Sequence, residues 1–169
     1  MDRLLGLRGA VYLEAGGLNM GGFTGAKIAL FIGPRLAVIL RDDRPGLIFA
    51  DHWDFPGGGR EGGEGPFACA QRECREELGL TVPQSAVVWQ RAFEERGEMR
   101  WFFVAELAED AALDVRFGDE GQTWTLMTPE EYLSHPKGIP PFQDRLRMFL
   151  RERNQGPDER PPAALSGGR

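Results

Sequence analysis

Short apolar runs broken by glycine, proline and charge set the rhythm of this chain. Residues 28–32 (IALFI) and 36–40 (LAVIL) are continuously hydrophobic and are separated only by Gly33-Pro34-Arg35. Two such runs about a tight turn predict a hairpin of strands buried on most of their surface. A polar turn, RDDRPG, occupies residues 41–46, and Trp53-Asp54-Phe55 reads as a brief strand ending at Pro56. Residues 87–94 and 100–106 read as two antiparallel strands joined through Arg96-Gly97. A polar loop opens at Glu109, and residues 123–127 form a further strand.

Helical spacing appears in three places. A helix is expected to begin near Pro66, where a missing N–H costs nothing, and to end before Gly79, placed as a C-cap. Phe67, Ala70, Cys74 and Leu78 recur on one side of it and should face a sheet. Thr128-Pro129-Glu130-Glu131 is a helix start, with a threonine cap, proline at the first position and glutamate at the third. Residues 142–153 fit an amphipathic helix with Phe142, Leu146, Phe149 and Leu150 on its apolar face. Strands and helices interleave without strict alternation, which favours an α/β (α+β) sandwich with a mixed sheet. Residues 1–153 are expected to form one domain, with residues 1–22 a glycine-rich extension holding at most a short strand at Val11-Tyr12-Leu13. Residues 154–169, rich in Pro, Gly and Arg, read as a disordered tail.

Charge and cysteine content narrow the function classes. A net charge of −6 argues against broad binding to a nucleic-acid polymer, yet leaves a nucleotide ligand open. Cys69 and Cys74 lie five residues apart on one predicted helix, so they point in different directions and should not pair. They are too few for a cysteine-based zinc site; Cys74 reads as a small core residue, and nothing near Cys69 marks an activated thiolate. The first residues lack a sustained apolar segment and no run reaches the length of a membrane span. A cytoplasmic protein without a membrane partner is the expectation; the oligomeric state is not legible. His52 and His135 are isolated and carry no catalytic pattern.

The predicted helix near residue 66 carries the chemistry. Glu73, Glu76 and Glu77 fall at i, i+3 and i+4, which places three carboxylates on one side of it. Such a patch repels itself, a cost usually tolerated where a cation sits; the alternative is a solvated acidic face.

Residues 58–80, GGREGGEGPFACAQRECREELGL, resemble the Nudix box, G-x5-E-x7-R-E-U-x-E-E-x-G-U with U aliphatic. Gly58, Glu64, Arg72, Glu73, Glu76, Glu77 and Gly79 occupy the fixed positions, with Cys74 and Leu80 at the U positions. Cys74 departs from the aliphatic type, but a buried cysteine behaves as a small hydrophobe. Outside the box, Glu120-Gly121-Gln122 followed by Trp124 resembles a segment of the MutT-like branch, as do Phe55-Pro56-Gly57-Gly58 and the aromatic run Trp101-Phe102-Phe103.

The resemblance implies an α/β/α sandwich and a site for Mg²⁺, with Mn²⁺ as a substitute, held by Glu73, Glu76, Glu77, Glu120 and the carbonyl of Gly57. It implies that Arg72 orients the catalytic glutamate, that Glu64 assists around it, and that Glu73 or Glu120 takes a proton from the attacking water. The expected reaction is hydrolysis of a nucleoside diphosphate–X bond, first of all conversion of a (deoxy)nucleoside triphosphate to monophosphate and pyrophosphate. An ADP-ribose or nucleotide-sugar hydrolase, or a non-catalytic nucleotide-sensing domain, is the alternative. Trp53, Phe55 and Trp124, with Phe142, are candidates to stack a base, or else are core and rim hydrophobes. MutT-like proteins present a base-reading asparagine in the region of residues 134–141; here the nearest position is Ile139, which argues against specificity for oxidised guanine.

Overall fold

The computed structural model describes residues 22–155. The readings of residues 1–21, including the strand at 11–13, and of residues 156–169 lie outside that range. Residues 154 and 155 belong to the last helix rather than to a tail.

The predicted hairpin forms and is longer than its apolar core. β1 (Phe23–Ile32) pairs antiparallel with β2 (Arg35–Leu40) through Phe31↔Leu36 and Ile32↔Arg35. Gly33 turns the chain at φ +58°, a region that glycine enters without strain. The second predicted pair is β5 (Val87–Glu95) and β6 (Glu98–Leu107), joined by Arg96 and Gly97, both at positive φ. Two consecutive residues at positive φ match the right-handed twist of the strands they connect. β6 runs parallel to β1 over nearly its whole length, so the sheet is mixed.

β1 and β2 leave their turn together and then part. The segment between them fills the fork: β3 (Trp53–Asp54) pairs with β2, and β4 (Gly57–Gly59) pairs with β1. β7 (Thr123–Met127) covers the other edge of β2. The resulting order is β3-β2-β1-β6-β5, with β4 on β1 and β7 on β2.

Helices cover both faces, as the alternation along β1 requires. Ala26, Ile28, Leu30 and Ile32 point into one core, where α1 (Pro66–Leu78) contributes Cys69, Ala70, Cys74 and Leu78. Ala29 and Phe31 point into the other, against Tyr132 of α2 (Pro129–Ser134) and Leu146 and Phe149 of α3 (Pro140–Gln155). The architecture is therefore the expected α/β/α sandwich.

Local signals act where they were read. Gly79 closes α1 in the left-handed conformation at φ 68°, donating to Arg75 O. Thr128 and Glu131 form a reciprocal capping box on α2. One prediction follows from the second core. Leu146 is fully buried while Leu113 is 78% exposed. Leu146→Ala should lower the unfolding free energy by about 2–5 kcal/mol in urea titrations, and Leu113→Ala by less than about 0.5 kcal/mol.

Candidate active site

The site lies in the fork, where a glycine turn meets α1. Gly57 sits at φ +141°, and a Cβ there would lie 2.2 Å from Ala26 O, so no other residue fits without moving β1. A Cβ on Gly58 would lie 2.5 Å from Glu73 Oε1, so the turn makes room for that carboxylate. Lys27 Nζ, from β1, donates to Gly57 O at 2.9 Å, Phe55 O at 3.2 Å and Asp54 Oδ2 at 2.8 Å. Cys69 donates its thiol to the carbonyls of Gly58 and Gly59, and burial pushes that thiol up to about 12, which leaves it a structural group.

Arg72 organises the acids on α1. Its guanidinium donates from Nε and Nη2 to both oxygens of Glu64, at 3.1 and 2.8 Å, and from Nη2 to Gly59 O at 2.9 Å. Nη1 donates to Glu73 at 2.9 Å and to Glu76 at 3.2 Å. The bidentate contact with Arg72 holds the Glu64 carboxyl down at about 2. Glu77 turns the other way and accepts from Gly57 N at 3.3 Å. Loss of surrounding water pushes its carboxyl up to about 8, with the nearby Lys27 opposing.

The three glutamates are thus not one uniform patch. Arg72 stitches Glu73 and Glu76, whereas Glu77 is drawn into the fork. Among the described residues no three acid, histidine or cysteine side chains converge closely enough to hold an ion as they stand. The donors nevertheless suit a hard cation: carboxylates, one carbonyl freed of side-chain bulk, and in Glu77 a charge short of compensation.

A cavity of about 350 Å³ gathers most of these groups. Gly57, Gly58, Gly59, Glu73, Glu77 and Glu120 line it, so the loop acid and two of the helix acids share one cavity wall. Glu76 is not on its wall, and its side chain is 56% exposed. Glu64 and Arg72 stand behind Glu73 rather than in the cavity.

The aromatic assignments need correction. Phe55 is fully buried, packed on Phe102, Tyr132 and Phe142, and offers no face to a ligand. Trp53 and Trp124 are half-buried and neither lines the cavity; Trp53 packs edge-on to His135, and Trp124 packs against the α1-side core. Period-two alternation explains Trp53 and Phe55, because it is the Asp54 between them that faces the cavity. Of the four candidates only Phe142 lines the cavity. Ile139 is buried and does not.

The structure adds charged groups that the sequence reading missed. Lys27, Arg41, Arg44, Asp54, Arg100 and Arg145 line the cavity. Asp54 Oδ2 takes both Lys27 Nζ and Arg41 Nη1, each at 2.8 Å. The available signal was a lysine interrupting the apolar start of β1 and an aspartate between two aromatics. Arg145, buried on α3, pairs with Glu95 and sits against the rings of Phe93, Phe102 and Phe142.

The Glu64–Arg72 pair predicts a pH effect. The carboxyl has a depressed folded value of about 2 against an ordinary 4.5, so its contribution is complete above 4.5 and is lost as pH falls towards 2. Thermal melts of Glu64→Gln should therefore decline less steeply than those of the wild type across that window. Equal slopes would show that the pair does not support the fold.

Comparison with known proteins fits this geometry. The profile of the NUDIX domain matches residues 28–148. The MutT protein of Methanosarcina mazei Go1 superposes with a TM-score of 0.63 at 22% identity, covering 81% of this chain and 99% of that one. An Ap4A hydrolase from C. elegans gives 0.61 at 20% identity, covering 78% and 98%. A bifunctional NMN adenylyltransferase/ADP ribose pyrophosphatase from Francisella tularensis gives 0.56 at 15% identity, covering 83% of this chain and 43% of that one. At these identities the likeness is one of fold. No curated protein matches in sequence. Among the described residues no helix is long and apolar enough to cross a membrane.

Proposed function

The chain belongs to the NUDIX family, and from that premise we propose that it is a Mg²⁺-dependent, MutT-like pyrophosphohydrolase converting a (deoxy)nucleoside triphosphate to its monophosphate and pyrophosphate. The family's coarser chemistry, hydrolysis of nucleoside diphosphate-linked substrates, is the frame; the triphosphate is the finer reading. The observation that carries it is the joint presence of Glu73, Glu77, Glu120 and the Gly57 turn on one cavity that Arg41, Arg44 and Lys27 also line. Carboxylates alone would repel a polyphosphate. Carboxylates charged with a divalent cation and flanked by fixed cations attract one.

Glu73, Glu76, Glu77, Glu120 and the Gly57 carbonyl are the groups that would hold the metal. When bound, Mg²⁺ neutralises phosphate oxygens and lowers the pKa of the attacking water. The protein's own part is to fix the acids and remove a proton. Arg72 holds Glu73 in one orientation through a 2.9 Å hydrogen bond, whereas Glu120 reaches the cavity from an exposed loop with no hydrogen-bond partner among the described residues. A free carboxylate beside the cavity is the better proton acceptor, so Glu120 is the preferred general base and Glu73 a donor to the metal. Hydrolysis of ADP-ribose or a nucleotide sugar is the second reading. It is favoured by further polar groups on the cavity wall, Asp42, Arg44, Arg100 and Arg145.

Incubation with Mg²⁺ and a panel of nucleoside triphosphates, ADP-ribose and nucleotide sugars, with product identification, separates these readings. Monophosphate and pyrophosphate from a triphosphate are expected. Absence of turnover with every nucleotide would move the chain to a nucleotide-sensing role. Glu76→Gln and Glu77→Gln, if folded, should each lose about a hundredfold or more in kcat; undiminished turnover in both would remove the metal assignment. Glu120→Gln should lose about 10²–10⁴ in kcat and flatten the acidic limb of the pH–rate profile, as the loss of a general base does. A retained limb would return that role to Glu73.

A further inference from the structure

The connection between β2 and β3, residues 41–52, is built as a rigid arm beside the cavity. Its two ends are stapled together. Arg41 N donates to His52 O at 2.9 Å and Asp51 N to Asp42 O at 3.2 Å. Gln122 Nε2 donates to Arg41 O at 2.7 Å and to Asp51 Oδ1 at 3.0 Å, and Lys137 adds an ion pair to Asp51. Gln122 lies two residues from Glu120, so the arm is fixed to the segment that carries the cavity's loop acid.

Polarity changes in order along this arm. Arg41, Asp42 and Arg44 line the cavity, then Leu47 does, and the next residues, Ile48 and Phe49, are 64% and 38% exposed. Among the described residues only Val88 and Leu113 share the class of exposed large hydrophobics, and neither lines the cavity. Phe49 and Asp51 hold φ at +54° and +57° although neither is glycine. Side chains other than glycine enter that region at a cost, and such costs gather at sites of function. The aromatic rings that line the cavity are more fully engaged than Phe49, whose ring meets only that of His52 among the described residues, at 5.7 Å between centroids. Trp101 is 7% exposed and stacked on Phe103, and Phe142 is hemmed in by Phe55, Phe102, Lys27 and Arg145.

A nucleotide has the same order of chemistry: phosphates, then a sugar, then a flat apolar ring. We propose that Leu47, Ile48 and Phe49 form the platform on which the substrate's nucleobase packs, with Phe49 held at positive φ so that its ring stays at the cavity rim. The inference rests on the reading of the site as one for a nucleotide. It makes the arm, and not Trp53, Phe55 or Trp124, the element that sets base preference. A platform of one ring and two aliphatic side chains accepts the face of a base and reads none of its edge, so it discriminates by stacking area.

The test uses equilibrium binding of AMP, GMP, CMP and UMP, with ribose 5-phosphate as the probe that lacks a base, to the full chain and to Phe49→Gly and Ile48→Ser. Glycine relaxes the positive φ, so Phe49→Gly should melt no lower than the wild type while losing the ring; Ile48 is exposed enough for Ile48→Ser to fold. The expected result is that the monophosphate bound best by the wild type binds about tenfold more weakly to each variant, with ribose 5-phosphate unchanged and purines affected more than pyrimidines. Unchanged nucleotide affinity in both variants would overturn the platform, as would an equal loss for ribose 5-phosphate, or no binding of any monophosphate to the wild type. The two readings fail separately. Turnover of a triphosphate with unchanged affinities leaves the activity and removes the platform, whereas base-dependent binding without turnover leaves the platform and removes the activity.

Discussion

One carboxylate oxygen holds the fork closed. Asp54 Oδ2 receives Lys27 from β1 and Arg41 from the end of β2, and these are the two strands that have parted. Lys27 continues to the carbonyls of Phe55 and Gly57, so the same ammonium that neutralises Asp54 also fixes the glycine turn. The cluster is only part-buried, with Lys27 and Arg41 partly exposed to water, so each pair contributes less than a fully buried one would. It is also imperfect. Asp54 Oδ1 and Arg41 Nε are buried and have no partner among the described residues. Both residues line the cavity.

The second organising group is Arg72, and its role differs in kind. It does not bridge strands but distributes one positive charge over Glu64, Glu73 and Glu76 and the carbonyl of Gly59. Its effect is to bridge carboxylates that helical spacing brings together and to offset their mutual repulsion. Glu77 escapes this arrangement because it sits on the fork side of α1, beside Gly57 N. The helix therefore carries one acid deprived of water and two that are already neutralised in part. That asymmetry follows from which side of the helix meets the turn.

Much of this was legible in the sequence, for local reasons. Gly79 marks the end of α1 because only its left-handed conformation closes the helix, and the Thr128 box marks α2. The hairpin turns at Gly33 and at Arg96-Gly97 specify the pairing of their strands. Gly57, Glu73 and Glu77 fall around one cavity because a fixed spacing along a turn and a helix is itself a geometry. The aromatic candidates failed because residue type says nothing about the direction of a side chain in a two-residue strand. Asp54 faces the cavity, and alternation sends Trp53 and Phe55 away. Lys27, Arg41 and Asp54 went unread because their meeting depends on the parting of β1 and β2, which no single segment encodes.

The same division explains where specificity would reside in this fold. The glycine turn and the helix acids on the cavity wall lie on regular elements whose positions are over-determined by pairing and packing: β4 against β1, and α1 against the sheet. The groups nearest the open side lie on the β2–β3 arm, whose backbone carries two non-glycine residues at positive φ. Hydrogen bonds from Gln122 and the backbone fix that arm at its ends, while its apolar tip makes few claims on the core. Substitutions at the tip can therefore change what the cavity rim offers without disturbing the clamp at Asp54 or the turn at Gly57. Under the proposed function, the part that would carry the chemistry and the part that would choose the substrate are joined through Gln122, which bonds the arm at Arg41 and Asp51. On the proposed reading, the box residues would act on the bond that breaks, and residues 41–52 would meet the attached group.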